Sequence, residues 1–133
     1  MEPRSPEEWW PIFQQAMRAG DVEAVLRLYE PKAVFANAAG QVRSGHAALR
    51  EEFGPLADTK ADFEARINKI VRSGDLALLH SEWSITRPEA RSGYALEVLR
   101  RQADGRWLLV IGDPFTIGHW SDERHTARPA RIR

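Results

Sequence analysis

The chain has 133 residues, 43% of them apolar, with nineteen basic residues against nineteen acidic and no cysteine. That length suits one domain with a core of its own, and the zero net charge argues against nucleic acid as a partner. The lack of cysteine excludes disulfides, thiolate metal sites and a cysteine nucleophile. No apolar run approaches the roughly 20 residues that span a bilayer, and no signal-peptide pattern opens the chain. The expectation is therefore a soluble, cytoplasmic protein without a membrane partner.

In chain order, "SPEE" at 5–8 offers Ser5 as N-cap, Pro6 at the first helical position and Glu8 three residues after the cap. Trp10, Phe13 and Met17 then recur at helical spacing, with Trp9, Ile12 and Ala16 widening the stripe. "AGD" at 19–21 closes that helix and caps a second one. In the second helix Val22, Val25, Leu26 and Tyr29 share a face until Pro31 stops it. "AVFAN" at 33–37 reads as a short strand turned by "AAGQ". A third helix follows "RSG", with Leu49 and Phe53 apolar and Pro55 near its end.

From Asp62 onward the period becomes two. Phe63, Ala65, Ile67 and Val71 alternate with Glu64, Arg66, Asn68 and Arg72, as in a half-buried strand. Turns at "SGD", "RPEARSG" and "ADG" connect it to "LALLHSEWSIT", "YALEVLRRQ" and "RWLLVIGDPF". Helices followed by a meander of antiparallel strands define an α+β domain, with bounds 1–118. The stretch 119–133 is a polar, arginine-rich tail expected to be loosely ordered.

The passage "AGDVEAVLRLYEPKAVFANAAGQVRSGHAALREEF" resembles the opening of the nuclear transport factor 2-like superfamily, in its SnoaL-like and ketosteroid-isomerase-like branches. "DGRWLLVIGDPF" is similar to the final strand of those families, so the resemblance covers residues 8–117. It implies three helices on a strongly curved, mostly antiparallel sheet, forming a cone with a deep central pocket. It also implies a homodimer formed through the sheet. The superfamily holds isomerases, polyketide cyclases, epoxide hydrolases, dehydratases and proteins that only bind or assemble, so fold leaves function open.

The resemblance assigns candidate residues. The tyrosine of the ketosteroid isomerases falls on Phe13, their base on Asn37 and their second aspartate on Glu97. Phe13 cannot donate a hydrogen bond and Asn37 cannot take a proton at neutral pH, which argues against steroid isomerisation by that route. Asn37 would either orient a ligand or bond its own turn. The limonene-type epoxide hydrolases use an Asp–Arg–Asp set; Asp113 stands near the last of these. Glu82 and Ser84 occupy the strand that should carry the other two, which lowers the standing of that alternative. SnoaL-type cyclases use a late-strand aspartate as acid/base, and Asp113 fits that role best.

The residues themselves give two readings of each candidate. Alternation puts Asp113 on a face with Leu109, Ile111 and Phe115, where burial would raise its pKa toward neutrality. Against this, Pro114 allows the strand to end there with the acid capping a turn. His80 and Glu82 share a face and would make a proton relay, or a core histidine beside an exposed glutamate. Glu97, facing with Ala95 and Leu99, would need a partner such as Arg66 or Arg87 if inward, and would be a surface ion pair otherwise. Trp10, Phe13, Tyr29, Phe53 and Trp83, joined by Trp9, form either an aromatic wall for a hydrophobic ligand or plain core. Trp107 is assigned to packing.

His46, His80, His119 and His125 lack ligand spacing, so no metal is expected, and no phosphate loop or nucleotide fingerprint implies a cofactor. The leading expectation is a cofactor-independent cyclase or isomerase acting on a small hydrophobic carbonyl compound. Asp113 would be the acid/base, His80 or Glu97 would tune it and Asn37 would orient the substrate. The competing expectation is a non-catalytic ligand-binding or assembly module of the same fold.

Overall fold

The computed structural model describes residues 1–116; the tail at 119–133, with His119 and His125, lies outside the described residues. A 3-10 turn at Pro6–Glu8 runs into helix α1, Trp9–Ala19. Ser5 makes no side-chain cap bond, and Glu8 instead reaches back to the Arg4 N–H at 2.7 Å. Gly20 ends α1 in the left-handed region (φ 71°), its N–H bonded to the Ala16 and Met17 carbonyls. A side chain there would be strained, which is why glycine follows the helix. Asp21 then caps α2, Val22–Leu26, by accepting the Ala24 N–H at 3.0 Å.

The second helix stops at Leu26, a full turn before the expected Pro31. Tyr29 opens strand β1, Tyr29–Ala36, and Pro31 lies within it, where the pairing with β6 is irregular and no N–H is needed. Tyr29 is thereby delivered by the sheet and not by a helix. Strand β2 is Val42–Ser44, and α3 is His46–Asp58, whose His46 Nε2 bonds the Tyr29 carbonyl at 3.0 Å. Strands β3 (Phe63–Ser73), β4 (Leu76–Ile85), β5 (Arg91–Arg101) and β6 (Trp107–Asp113) complete the described chain.

The six strands form one sheet in the order β2-β1-β6-β5-β4-β3, antiparallel except between β1 and β6. It is a curled, open sheet with the helices on its inner face, the α+β cone expected. Leu79, Leu99 and Leu109 from the strands pack fully buried with Phe13 and Met17 of α1 and Leu49 of α3. Among the described residues no helix is long and apolar enough to cross a membrane.

Two β-bulges decide which side chains face that core. In β3 Ile67 pairs with Ser81 but Lys69 pairs with His80, leaving Asn68 as the extra residue. Ile70 consequently packs on the core, and Val71, expected inward, is exposed opposite Leu78. In β6 Leu109 pairs with Leu99 but Ile111 pairs with Val98, leaving Val110 extra. Each bulge shifts the parity by one residue and so exchanges the two faces beyond it.

Candidate functional site

A cavity of about 60 Å³ opens between the helices and the inner face of the sheet. Trp10 and Phe13 come to it from α1, Tyr29 from β1, Phe53 from α3 and Trp83 from β4, so the five expected wall residues do meet. They are also core: Phe13 stacks on Trp9 with ring centres 5.3 Å apart and meets Phe53 edge-on at 5.6 Å. The two readings of the aromatic stripe are therefore one arrangement. Trp83 donates its indole N–H to the Pro114 carbonyl at 2.7 Å and lies across β5 at Gly93. A Cβ at position 93 would stand 2.9 Å from both the Trp83 ring and that carbonyl, so only glycine lets the ring lie flat.

Among the described residues Glu97 is the buried acid, 3% exposed and lining this cavity. β5 carries it inward between Ala95 and Leu99, and the β4–β5 pairing brings Ser81 beside it. The Ser81 hydroxyl donates to Glu97 Oε1 at 2.8 Å. Arg66, one partner expected from the sequence, is engaged with Glu82 instead. Burial pushes the Glu97 carboxyl up to about 7, against the opposing pull of the Ser81 hydrogen bond and the Trp10 indole.

Two donors stand with it. The Trp10 indole N–H is fully buried and makes no hydrogen bond of regular geometry, although it lies near enough to Glu97 to favour the charged carboxylate. Tyr29, also buried, has its phenol held well above the usual tyrosine pKa, first by burial and then by the Glu97 charge. Tyr29 thus stays protonated at any physiological pH and can donate. An acid/base near neutrality with two donors beside it can take a proton from carbon and stabilise the charge that forms on oxygen.

The remaining candidates are placed elsewhere. The β6 bulge pairs Asp113 with Leu96 on the outer face, not with the inward Leu109. Its Oδ1 accepts the Phe115 N–H at 3.1 Å across Pro114, a turn-capping bond, while the residue still contributes to the cavity's lining. Asn37 Oδ1 accepts the N–H groups of Ala39 and Gln41 at 3.0 and 2.9 Å, closing its own turn. His80 and Glu82 share a face, as the alternation requires, but it is the outer face: Ala77, Leu79, Ser81 and Trp83 point inward. No relay from His80 into the cavity forms, and the outward Glu82 and Ser84 cannot complete an epoxide hydrolase set with Asp113.

Ser81, which holds Glu97 from behind the cavity wall, is a residue that pattern reading missed. Its signal was a single hydroxyl on the otherwise apolar inward side of β4, meaningful only once β5 is laid against it. Among the charged residues of the lining, Arg91, which shares inward parity with Glu97 on β5, and Glu52 of α3 were missed as well. Among the described residues no three acidic or histidine side chains converge as metal ligands would.

Residues 12–110 match the SnoaL-like domain family. The chain belongs to that family, within the nuclear transport factor 2-like superfamily. Solved structures agree on the architecture. A ketosteroid isomerase-like protein from Erwinia carotovora atroseptica superposes with a TM-score of 0.66 at 21% identity, over 85% of this chain and 94% of the other. A Thiobacillus denitrificans protein assigned to the calcium/calmodulin-dependent protein kinase type II association domain gives 0.68 at 17% identity, over 87% and 98%. A Nostoc punctiforme domain of unknown function with a cystatin-like fold gives 0.68 at 15%, over 93% and 81%. At such identities the SnoaL-like protein shares their fold, and no more is implied. None of the curated proteins compared with it matches the chain.

Proposed function

We propose that this SnoaL-like protein is a cofactor-independent isomerase or cyclase that moves a proton next to the carbonyl of a small apolar metabolite, with Glu97 as acid/base. One observation carries the reading: a carboxyl poised at about 7 inside an aromatic cavity, beside a buried indole N–H that makes no hydrogen bond of regular geometry. Half-ionised at neutral pH, such a group can both take and return a proton. The Glu97 carboxylate removes the proton from the carbon next to the carbonyl, and the electron pair moves onto the carbonyl oxygen. Tyr29 O–H and Trp10 N–H donate to that oxygen as its charge grows. Where the substrate carries a double bond beyond that carbon, the enolate is a dienolate, and Glu97 returns the proton to its far carbon as the double bond moves next to the carbonyl, giving an isomer. In the cyclase variant the enolate carbon attacks a second carbonyl of the same molecule, whose oxygen takes the proton. Asp113 is left to its turn, and the working form is a cytoplasmic homodimer paired through the outer face of the sheet.

The test is exchange of carbon-bound hydrogen for deuterium in a panel of apolar ketones, followed by NMR in D2O. Wild type should exchange at least one of them, with a rate rising as pH passes about 7. Glu97→Gln should lower that rate by about 100-fold or more, while Asp113→Asn keeps most of it. An unchanged rate in Glu97→Gln ends the assignment. If ketones bind to wild type and none exchanges, the protein is a binding module.

A further inference from the structure

Arg91 stands apart from the other arginines. Among the described residues eight arginines are in ion pairs with carboxylates. Arg4 donates to the Asp104 carbonyl, and Arg27 and Arg87 are exposed. Arg91 is half-buried, lines the aromatic cavity and joins none of these ion pairs. Its guanidinium lies over the Phe115 ring, 5.8 Å from the centroid. Such a contact orients the group without satisfying its five N–H donors. A partly desolvated guanidinium with no carboxylate paired to it among the described residues, at the edge of an apolar cavity, is a receptor for a carboxylate, which it can grip with two parallel hydrogen bonds.

Strand geometry sets the distance to the reacting end. Arg91 and Glu97 are six residues apart on the same face of β5, about 20 Å between Cα atoms. Phe115 packs edge-on against Trp83 at 5.7 Å, and Trp83 pairs with Gly93, so the guanidinium leans from its own Cα toward Glu97. The two side chains together take up roughly half of the span, leaving on the order of 10 Å.

We infer that the ligand of this cavity is an apolar organic acid whose carboxylate docks on Arg91 and whose body extends roughly 10 Å inward to Glu97. The inference rests on the cavity being the site proposed above, and it names the substrate class. Two- and three-carbon acids are too short to touch both groups. Glu52, from α3, also lines the cavity and would favour a cationic ligand in place of an anionic one.

Isothermal titration calorimetry of the purified protein with 3-phenylpropanoate, its amide and 3-phenylpropylamine separates these cases. The acid should bind about tenfold tighter than the amide, and the amine weaker than either. Arg91→Gln should bring acid and amide to within about threefold, and Arg91→Lys should keep part of the preference. Added salt should weaken the acid and not the amide, which checks the charge without any variant. Glu97→Gln should leave the preference in place, so a failed exchange experiment and a failed anion site give different results. Equal binding of acid and amide to wild type, tighter binding of the amine, or no binding of any of the three overturns the inference.

Discussion

Glu97 carries one hydroxyl donor and almost no water, so its charged form is disfavoured in the folded protein. The folded pKa of about 7 lies above the ordinary value of 4.5, so between those limits the folded state binds a proton that the unfolded chain has released. Stability from this group is therefore complete below about 4.5 and is lost as pH rises through 7. The loss amounts to about 3 kcal/mol. Glu97→Gln keeps the shape and the Ser81 contact and cannot ionise. Its melting temperature should exceed that of wild type at pH 8 by about 10 °C and be close to it at pH 5. Glu30, whose carboxyl is held low chiefly by its hydrogen bond from Arg100, works in the opposite sense below pH 4.5 and cancels in the comparison. A gap that is the same at both pH values would mean that Glu97 titrates as an exposed glutamate. The sequence singled out Glu97 and its need for a partner if inward. It could not name Ser81, because that pairing depends on how β4 lies against β5.

At the scale of elements, the end of α1 at Gly20, the cap of α2 at Asp21 and the succession of β3 to β6 were legible because capping residues, glycines and alternation are local signals. What failed was facing beyond a bulge. Asp113 counts as inward if β6 alternates without interruption, and Val71 likewise in β3; one extra residue in each strand reverses both. Nothing in a single sequence marks Val110 or Asn68 as the surplus residue, since a bulge is defined by two strands together. Tyr29 was given to a helix for a related reason: its spacing from Val22, Val25 and Leu26 is helical, and the end of α2 at Leu26 is set by tertiary packing. Gly93 shows the converse, an element detail with a sharp consequence. Gly93→Ala places a methyl 2.9 Å from the Trp83 ring and the Pro114 carbonyl, so the ring must leave its place over β5. The expected cost is about 1–3 kcal/mol, read in a thermal melt, with a shift in tryptophan fluorescence as the Trp83–Pro114 bond breaks. An unchanged melt and spectrum would show that the ring moves aside freely.

Seen as a whole molecule, the same two bulges that turn Asp113 and Val71 outward build an apolar row on the outer face of the sheet. The registers align Val34, Ile111, Val98, Leu78 and Val71 across five neighbouring strands. Ile111 is 51% exposed, and Leu96 lies exposed one step along β5. Single exposed apolar residues are ordinary, but an uninterrupted row across five strands is a patch that water disfavours. A second copy placed on the same face, related by a two-fold axis, would cover both rows at once. Wild type is therefore expected to sediment as a dimer at micromolar concentration, with a melting temperature that rises with concentration. Ile111→Lys combined with Leu96→Lys puts two charges per chain into that face and should give a monomer whose melting no longer depends on concentration. These side chains point away from Glu97, so the monomer should retain the proton exchange proposed for the cavity unless pairing is needed to hold β5 and β6 in place. A wild-type monomer at those concentrations would remove the sheet interface. A double variant that is monomeric and inactive while still folded would show that the outer face supports the inner one: the strands that carry Glu97 and Gly112 inward are the same strands that carry Val98 and Ile111 outward.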